Sequence, residues 1–261
     1  STHCISSAAS DVYKRQPLLE TMRDRAIAFV PASGRQCTTL STMFGSHLQG
    51  MPIIAENGTY VVRDGIDISS STIDPNLTRE VITGVRQLRN DGHDVGLVVA
   101  TKSIAYLERG DDPFVSHVAT YYHSHRIVKD LSEHTDDVIK LSIYDFREAS
   151  EATYPTMQRT APEHQVILAT PNWVDIMNPG VNKGSAVEAV QRDLGVTADQ
   201  TAIFGDFLND LEMMPMAKWS FAMANGHPNI VKASNYVAPP NTENGVITVL
   251  AALLGTGVPT T

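Results

Sequence analysis

Cysteine is scarce. The chain of 261 residues carries two, Cys4 and Cys37, and no Cys-x-x-Cys. Two thiols are too few for a disulfide scaffold. Long apolar runs are also missing. The longest, Val246 to Leu254, is about half the ~18 residues a membrane-spanning helix needs, and it reads as a buried terminal helix. No membrane partner is therefore expected. Positive charge is outnumbered, with 20 Lys and Arg against 29 Asp and Glu, a net charge of -9. That balance argues against a nonspecific nucleic-acid binder, in which basic residues dominate. It leaves room for small phosphorylated ligands, because a local pocket can be positive on an acidic protein. No charged-then-apolar signal opens the chain, so a cytoplasmic protein is expected. What is abundant is apolar residue, 42% of the chain, enough for a proper core and against wholesale disorder.

Residues 1–16 show neither strand alternation nor a helical stripe and read as a leader foreign to the domain. Pro17 suits a helix start, with Leu18, Leu19, Met22 and Ala26 at helical spacing. An apolar run, Ile27 to Val30, then feeds the small turn Pro31-Ala32-Ser33-Gly34-Arg35, as a buried strand would. A helix is expected near Cys37 to Phe44 and a strand at Pro52 to Ala55. A hairpin follows around Arg63-Asp64-Gly65. The middle of the chain mixes strands and helices. Strand and helix then alternate again from Lys183, including a strand Thr201 to Phe204 and a helix over Asp210 to Ala217. The expected fold class is α/β: a Rossmann-like parallel-sheet core (17–65 and 181–261) interrupted by an inserted α+β cap domain (66–180).

The strongest chemical cluster is Gly205-Asp206-Phe207-Leu208-Asn209-Asp210. Asp206 falls at the carboxyl end of a strand, where open parallel sheets bind ligands. Asp206, Asp210 and the Asn209 amide offer hard oxygens suited to Mg²⁺; a turn residue and a helix cap are the plainer reading. Ser33-Gly34-Arg35 offers a hydroxyl and backbone N–H groups for a phosphate, or an ordinary capping serine. Lys183 opens a helix against its dipole, so either a phosphoryl group or plain solvation must favour it. Asn57, in Glu56-Asn57-Gly58, stands at the same rim or serves a tight turn. His123 and His125 would share one strand face, with His117 nearby, but no Cys or carboxylate completes a zinc shell. Met213, Met214 and Met216 read as packing.

Taken together, these motifs resemble the haloacid dehalogenase-like superfamily in its Cof-type phosphatase branch, over about residues 17–261. Residues 31–35 are similar to its second motif, Lys183 within Gly180-Val181-Asn182-Lys183-Gly184 to its third, and Gly205 to Asp210 to its fourth. Glu56-Asn57-Gly58, Met223-Ala224-Asn225-Gly226 and Asn244-Gly245-Val246 also fit. The resemblance implies an enzyme, a Mg²⁺-dependent phosphomonoester hydrolase of small phosphorylated metabolites such as sugar phosphates. It implies an aspartyl-phosphate intermediate formed by an Asp-x-Asp-Gly-Thr motif. It further implies that Ser33 and Lys183 serve the transferred group catalytically, that Gly34, Arg35, Asn57 and Asn209 bind phosphate or substrate, and that Asp206, Asp210 and Asn209 hold the metal.

One departure falls at the chemical centre. No Asp-x-Asp occurs before Ser33; the acidic residues there are Asp11, Glu20 and Asp24, and none has the required partner. The chain as written is therefore expected to lack its nucleophile and to be inactive and destabilised. A divergent, non-catalytic phosphate or metabolite binder is the competing reading, and a phosphosugar mutase a third.

Overall fold

The computed structural model describes residues 9–256. Residues 1–8 of the expected leader, with Cys4, lie outside the described residues. Helix α1 spans Ala9–Asp24, so it begins before Pro17 and carries that proline in its interior. This differs from the expected start at Pro17. An interior proline removes one i→i−4 hydrogen bond, and the helix leans instead on packing: Leu18 and Met22 are buried against Ile247, Ala251 and Leu254 of the C-terminal helix.

The segment 27–32 is not the ladder strand its apolar run suggests. Its pairing consists of a single parallel bridge, Ala32 to Ile54, held by Ile54 N donating to the Pro31 carbonyl and Ser33 N to the Ile54 carbonyl. Pro31 has no N–H, and among the described residues no strand flanks the segment's other side, so a ladder cannot propagate. Helix α2 (Cys37–Phe44) follows, then strands β1 (Pro52–Ala55), β2 (Tyr60–Arg63) and β3 (Ile66–Ser70), an antiparallel sheet in that order. The expected hairpin joins β2 to β3, with Asp64 at φ 50 and Gly65 at φ 79.

Next comes helix α3 (Pro75–Asn90), capped by the Asp74 carboxylate accepting from Asn76 N at 2.6 Å. Strands β4 (Val95–Thr101) and β5 (Ala105–Leu107), helix α4 (Asp112–Ala119), strands β6 (His125–Ile127) and β7 (Val138–Asp145), helix α5 (Thr153–Thr160) and strands β8 (Gln165–Leu168) and β9 (Trp173–Met177) complete this unit. They form one six-stranded sheet in the order β6-β5-β4-β7-β9-β8. Alternation assigns its faces. Leu141, Ile143, Val174 and Ile176 pack against α3 and α5. Lys140, Ser142, Tyr144, Trp173, Asp175 and Met177 therefore project from the other face.

Helix α6 (Lys183–Leu194) returns the chain to the first unit. Strands β10 (Ala202–Gly205), β11 (Trp219–Met223) and β12 (Tyr236–Ala238) form a parallel sheet, with helices α7 (Pro228–Ala233) and α8 (Gly245–Leu254) after β11 and β12. The expected helix over 210–217 is a 3-10 segment, Leu208–Met216, with Pro215 inside it. The core thus holds two three-stranded sheets. One hydrophobic cluster ties them: Ile54 and Val61 on one side, Ile203 and Ala222 on the other, with Ala186, Val187 and Val190 of α6 between and Val30 and Ala32 against them. No helix of the described residues is long and apolar enough to cross a membrane.

Candidate active site

The loops at the carboxyl ends of β1 and β10 meet the polar face of the six-stranded sheet across a cleft of about 350 Å³. Ser33, Gly34, Arg35, Asn57, Lys183 and Asn209 all line it. Residues far apart in sequence thus share one cleft, and each is held by local chemistry.

The loop 33–35 is pinned to the end of β1. Asn57 N donates to the Ser33 carbonyl and Glu56 N to the Arg35 carbonyl, both at 3.0 Å. Ser33 Oγ accepts from Arg35 N at 3.2 Å, turning the hydroxyl inside its own loop. A Cβ at Gly34 would stand 2.9 Å from Asn57 Oδ1, so a larger residue there would displace the Asn57 amide. Arg35 lines the cleft, but its guanidinium is spent on the Thr120 carbonyl and lies over the Tyr121 ring at 5.4 Å. Glu56 and Asn57 both adopt positive φ, 51° and 59°. Such a backbone costs about 1–3 kcal/mol at a non-glycine residue and persists where surrounding contacts over-determine it. Gly58 follows at φ +98, where a Cβ would meet the Asn182 carbonyl oxygen at 2.4 Å.

Lys183 opens α6 behind a capping box, in which Ser185 N donates to Asn182 Oδ1 at 2.9 Å and Asn182 N to Ser185 Oγ at 3.2 Å. Plain solvation is not what holds its cation, since the residue is buried. Its Nζ donates to Asp210 Oδ1 at 2.6 Å, and both side chains are buried. Asp210 Oδ2 accepts from Asp206 N at 3.0 Å and Phe207 N at 3.3 Å, so the carboxylate also caps the turn. Burial works to raise the Asp210 carboxyl, but the Lys183 ammonium and the two N–H groups outweigh it and hold it below the usual carboxylate range.

Asp206 follows β10, with Oδ2 accepting from Asn241 Nδ2 at 3.0 Å. Burial first, then the neighbouring Asp210 charge, push its carboxyl above the ordinary range. A bound divalent cation would reverse that effect. Among the described residues no group of three or more His, Cys, Asp or Glu gathers as a metal shell. The donor set is instead the sparse, hard-oxygen kind that suits Mg²⁺, which keeps waters and takes substrate oxygens. The histidines do not converge: His117 lies in α4 beside Tyr144 OH, His123 precedes β6, and His125 Nδ1 meets the Tyr122 carbonyl at 2.9 Å.

Sequence reasoning missed the far wall. Lys140 Nζ sits 2.5 Å from Glu56 Oε2, donates to the Gly34 carbonyl at 3.0 Å, and lies 3.9 Å from Asp175 Oδ2. Among the described residues neither Glu56 oxygen finds a directed hydrogen bond. Burial raises the Glu56 carboxyl above its ordinary value, with Lys140 only partly offsetting it, while the two carboxylates overcome burial and hold the Lys140 ammonium well above its own. The available signal was a charge in the interior of each of two largely apolar strands, Lys140 in VIKLSIYD and Asp175 in WVDIM. Such charges are buried only when paired.

Similarity to known proteins agrees with this geometry. A family model described as haloacid dehalogenase-like hydrolase matches residues 12–250. The chain belongs to the haloacid dehalogenase-like hydrolases. Among curated relatives in this family, the Escherichia coli (strain K12) 5-amino-6-(5-phospho-D-ribitylamino)uracil phosphatase YbjI is 29% identical, over 90% of this chain and 86% of its own. The HMP-PP phosphatase of Cronobacter sakazakii is 22% identical over 83% and 78%. Among solved structures, SMU.1108c of Streptococcus mutans UA159 superposes with a TM-score of 0.79 at 24% identity, covering 94% of this chain and 92% of that one. A sugar phosphatase of haloacid dehalogenase subclass IIB gives 0.75 at 18% identity, with 92% and 91% covered. At these identities the superpositions establish the shared haloacid dehalogenase fold, with its α/β, Rossmann-like core.

Proposed function

We propose that the cleft is the active site of a Mg²⁺-dependent phosphatase of small phosphorylated metabolites, with a cap closing it from above that begins near residue 71 rather than at the expected residue 66, because Ile66–Ser70 pairs with β2 in the core sheet, and runs to about residue 180. The observation that carries this reading is convergence: the Ser33-Gly34 loop, Asn57, Lys183 and Asn209 line one cleft; Asp206 and Asp210 do not line it but adjoin it through Phe207 and Lys183. In this reading Ser33 and the backbone of 33–35 hydrogen-bond the phosphoryl oxygens. Lys183 neutralises charge on the transferring group, its ammonium fixed in place by Asp210. Asp206 and the Asn209 amide would hold Mg²⁺, and Asp210 would contribute charge behind them; the ion would supply electrostatic stabilisation of phosphoryl transfer. Positioned charge of this kind supplies most of the rate enhancement in such reactions. The names of the relatives, a phosphoribitylaminouracil phosphatase, an HMP-PP phosphatase and a sugar phosphatase, all point to small phosphorylated metabolites. The remainder of the cleft, lined by Tyr121, Ile167, Leu168, Trp173 and Phe207, would receive the leaving group.

The chain as written carries no Asp-x-Asp ahead of Ser33, and we infer that it does not turn over. The structure offers a matching feature. Among the described residues, β10 pairs with β11 on one side only, and 27–32 makes one bridge to β1. Inserting a strand bearing Asp-x-Asp-Gly-Thr ahead of α1 is the direct experiment. An aryl phosphate should then be hydrolysed with Mg²⁺ and not without it. Absence of metal-dependent turnover in the repaired, folded chain would refute the phosphatase reading and leave the non-catalytic binder.

A further inference from the structure

Three side chains connect the six-stranded sheet to the Asp206–Asp210 loop through hydrogen bonds of one direction. Asn209 Nδ2 donates to Asn57 Oδ1 at 3.1 Å, and Asn57 Nδ2 donates to Asp175 Oδ2 at 3.2 Å. Asp175 Oδ1 accepts from Ser142 Oγ at 2.6 Å; Ser142 and Asp175 are directly opposed in the β7–β9 ladder. Tyr122 OH lies 3.0 Å from Ser142 Oγ. Asp175 is 6% exposed and Ser142 1%.

We infer that Asp175 is a positioning residue for the site: acting through Asn57, it sets which end of the Asn209 amide faces the phosphate loop. The inference rests on the function proposed above. The physical reason is donor and acceptor chemistry. An amide can be turned either way, since it has a donor end and an acceptor end of nearly equal size. An ionised carboxylate can only accept. Asp175 therefore obliges Asn57 to present Nδ2 to it and Oδ1 to the opposite side. Asn57 Oδ1 can only accept, so Asn209 must present Nδ2 there and direct Oδ1 the other way. Two amides that could otherwise adopt several orientations are left with one. Lys140 Nζ, a cation, lies 3.9 Å from Asp175 Oδ2. Asp175 comes from β9 and Asn209 from the loop after β10, so a cap residue sets an atom of the core's phosphate and metal loop.

The test substitutes Asp175→Asn, which keeps the size and the acceptor for Ser142 but adds a donor end, so Asn57 is free to turn. Two measurements are made on the full chain. In the first, the side-chain NH2 signals of Asn57 and Asn209 are followed by ¹⁵N NMR without ligand, assigned by their loss in Asn57→Ala and Asn209→Ala. Asp175→Asn should shift both pairs and speed their exchange, although Asn209 does not touch residue 175. In the second, inorganic phosphate is titrated calorimetrically with Mg²⁺ present, and its affinity should fall at least tenfold in a variant whose melting temperature is near the parent's. A residue that served stability alone would leave the Asn209 signals in place in a folded variant. Unchanged Asn209 signals overturn the inference. Unchanged phosphate affinity despite moved signals overturns its bearing on the site. Should the parent bind no phosphate, the proposed function fails while the NMR result still decides whether the amides are oriented from Asp175. If Asp175→Asn does not fold, Ser142→Ala, which frees the carboxylate to rotate, should move the same signals by less; no movement there overturns the inference equally.

Discussion

Removing the Lys183 ammonium isolates one buried ion pair of the site. Lys183→Met retains much of the side chain's apolar stem and leaves Asp210, 4% exposed, without its cation. Breaking one side of a buried ion pair costs about 3–5 kcal/mol, because the surviving charge stays desolvated. The two N–H groups of Asp206 and Phe207 that Asp210 accepts persist and place the expected loss toward the lower end, about 3 kcal/mol. The pH dependence has a definite sign. In the parent, Asp210 has a lowered carboxyl pKa, so its contribution is present above the unfolded value near ~4 and is lost as pH falls through the still lower folded value. In Lys183→Met burial dominates, and the carboxyl rises above its unfolded value. The penalty is then full at pH 7 and shrinks as acid protonates the stranded group. Urea denaturation of parent and variant at pH 7 and pH 5 measures both effects. Adding Asp210→Asn to Lys183→Met, which retains an acceptor for the two N–H groups, should recover most of the loss at pH 7. A difference below ~1 kcal/mol at pH 7, within the range of an exposed pair, or one that does not change with pH, would refute the reasoning.

Gly58→Ala combines a backbone at φ +98 with a Cβ 2.4 Å from the Asn182 carbonyl; a loss of at least ~1–3 kcal/mol is expected in thermal melts, and an unchanged melting temperature would contradict the crowding. Tyr60, raised to about 12 by burial and then by its hydrogen bond to Asp67, should stay protonated through pH 11 in an absorbance titration. Because the folded value is the higher one, its contribution is complete below the unfolded value near ~10 and is lost as pH climbs through 12. Tyr60→Phe should therefore flatten the alkaline fall in stability over that window, and an identical fall in both proteins would count against it. Lys140→Met leaves Glu56 without a counter-ion, and protonation of that carboxyl limits the damage; the variant should be destabilised more at pH 8 than at pH 5, measured in urea, and the reverse order would be inconsistent with the buried pair.

How much was legible in sequence follows from the range of the forces involved. Strand ends marked by Gly205-Asp206 and Glu56-Asn57-Gly58, and the hairpin at Asp64-Gly65, are local signals. Their turn chemistry is carried by adjacent residues, and they formed as expected. The run Ile27 to Val30 looked like a strand because composition reports burial, whereas a ladder needs partners that lie elsewhere in the chain. Pro215 and Pro17 show the same limit: helical spacing is visible in sequence, but whether the backbone becomes 3-10 or tolerates an interior proline is decided by packing. Lys183 stands out in sequence as a cation that the helix dipole disfavours, yet sequence offers Asp210 only as a metal ligand or a cap. A pair separated by 27 residues cannot be matched by spacing alone. Lys140 and Asp175 left a trace as charges in apolar strands, but their role required knowing that both strands turn the same face to the cleft.

Calorimetric titration of Mg²⁺ and inorganic phosphate into the parent and into Asp206→Asn tests most directly whether these loops form one anion and cation site. The parent should bind phosphate in a Mg²⁺-dependent manner, and Asp206→Asn, folded, should bind both more weakly. Equal affinities in the two proteins, or phosphate binding indifferent to Mg²⁺, would contradict the account.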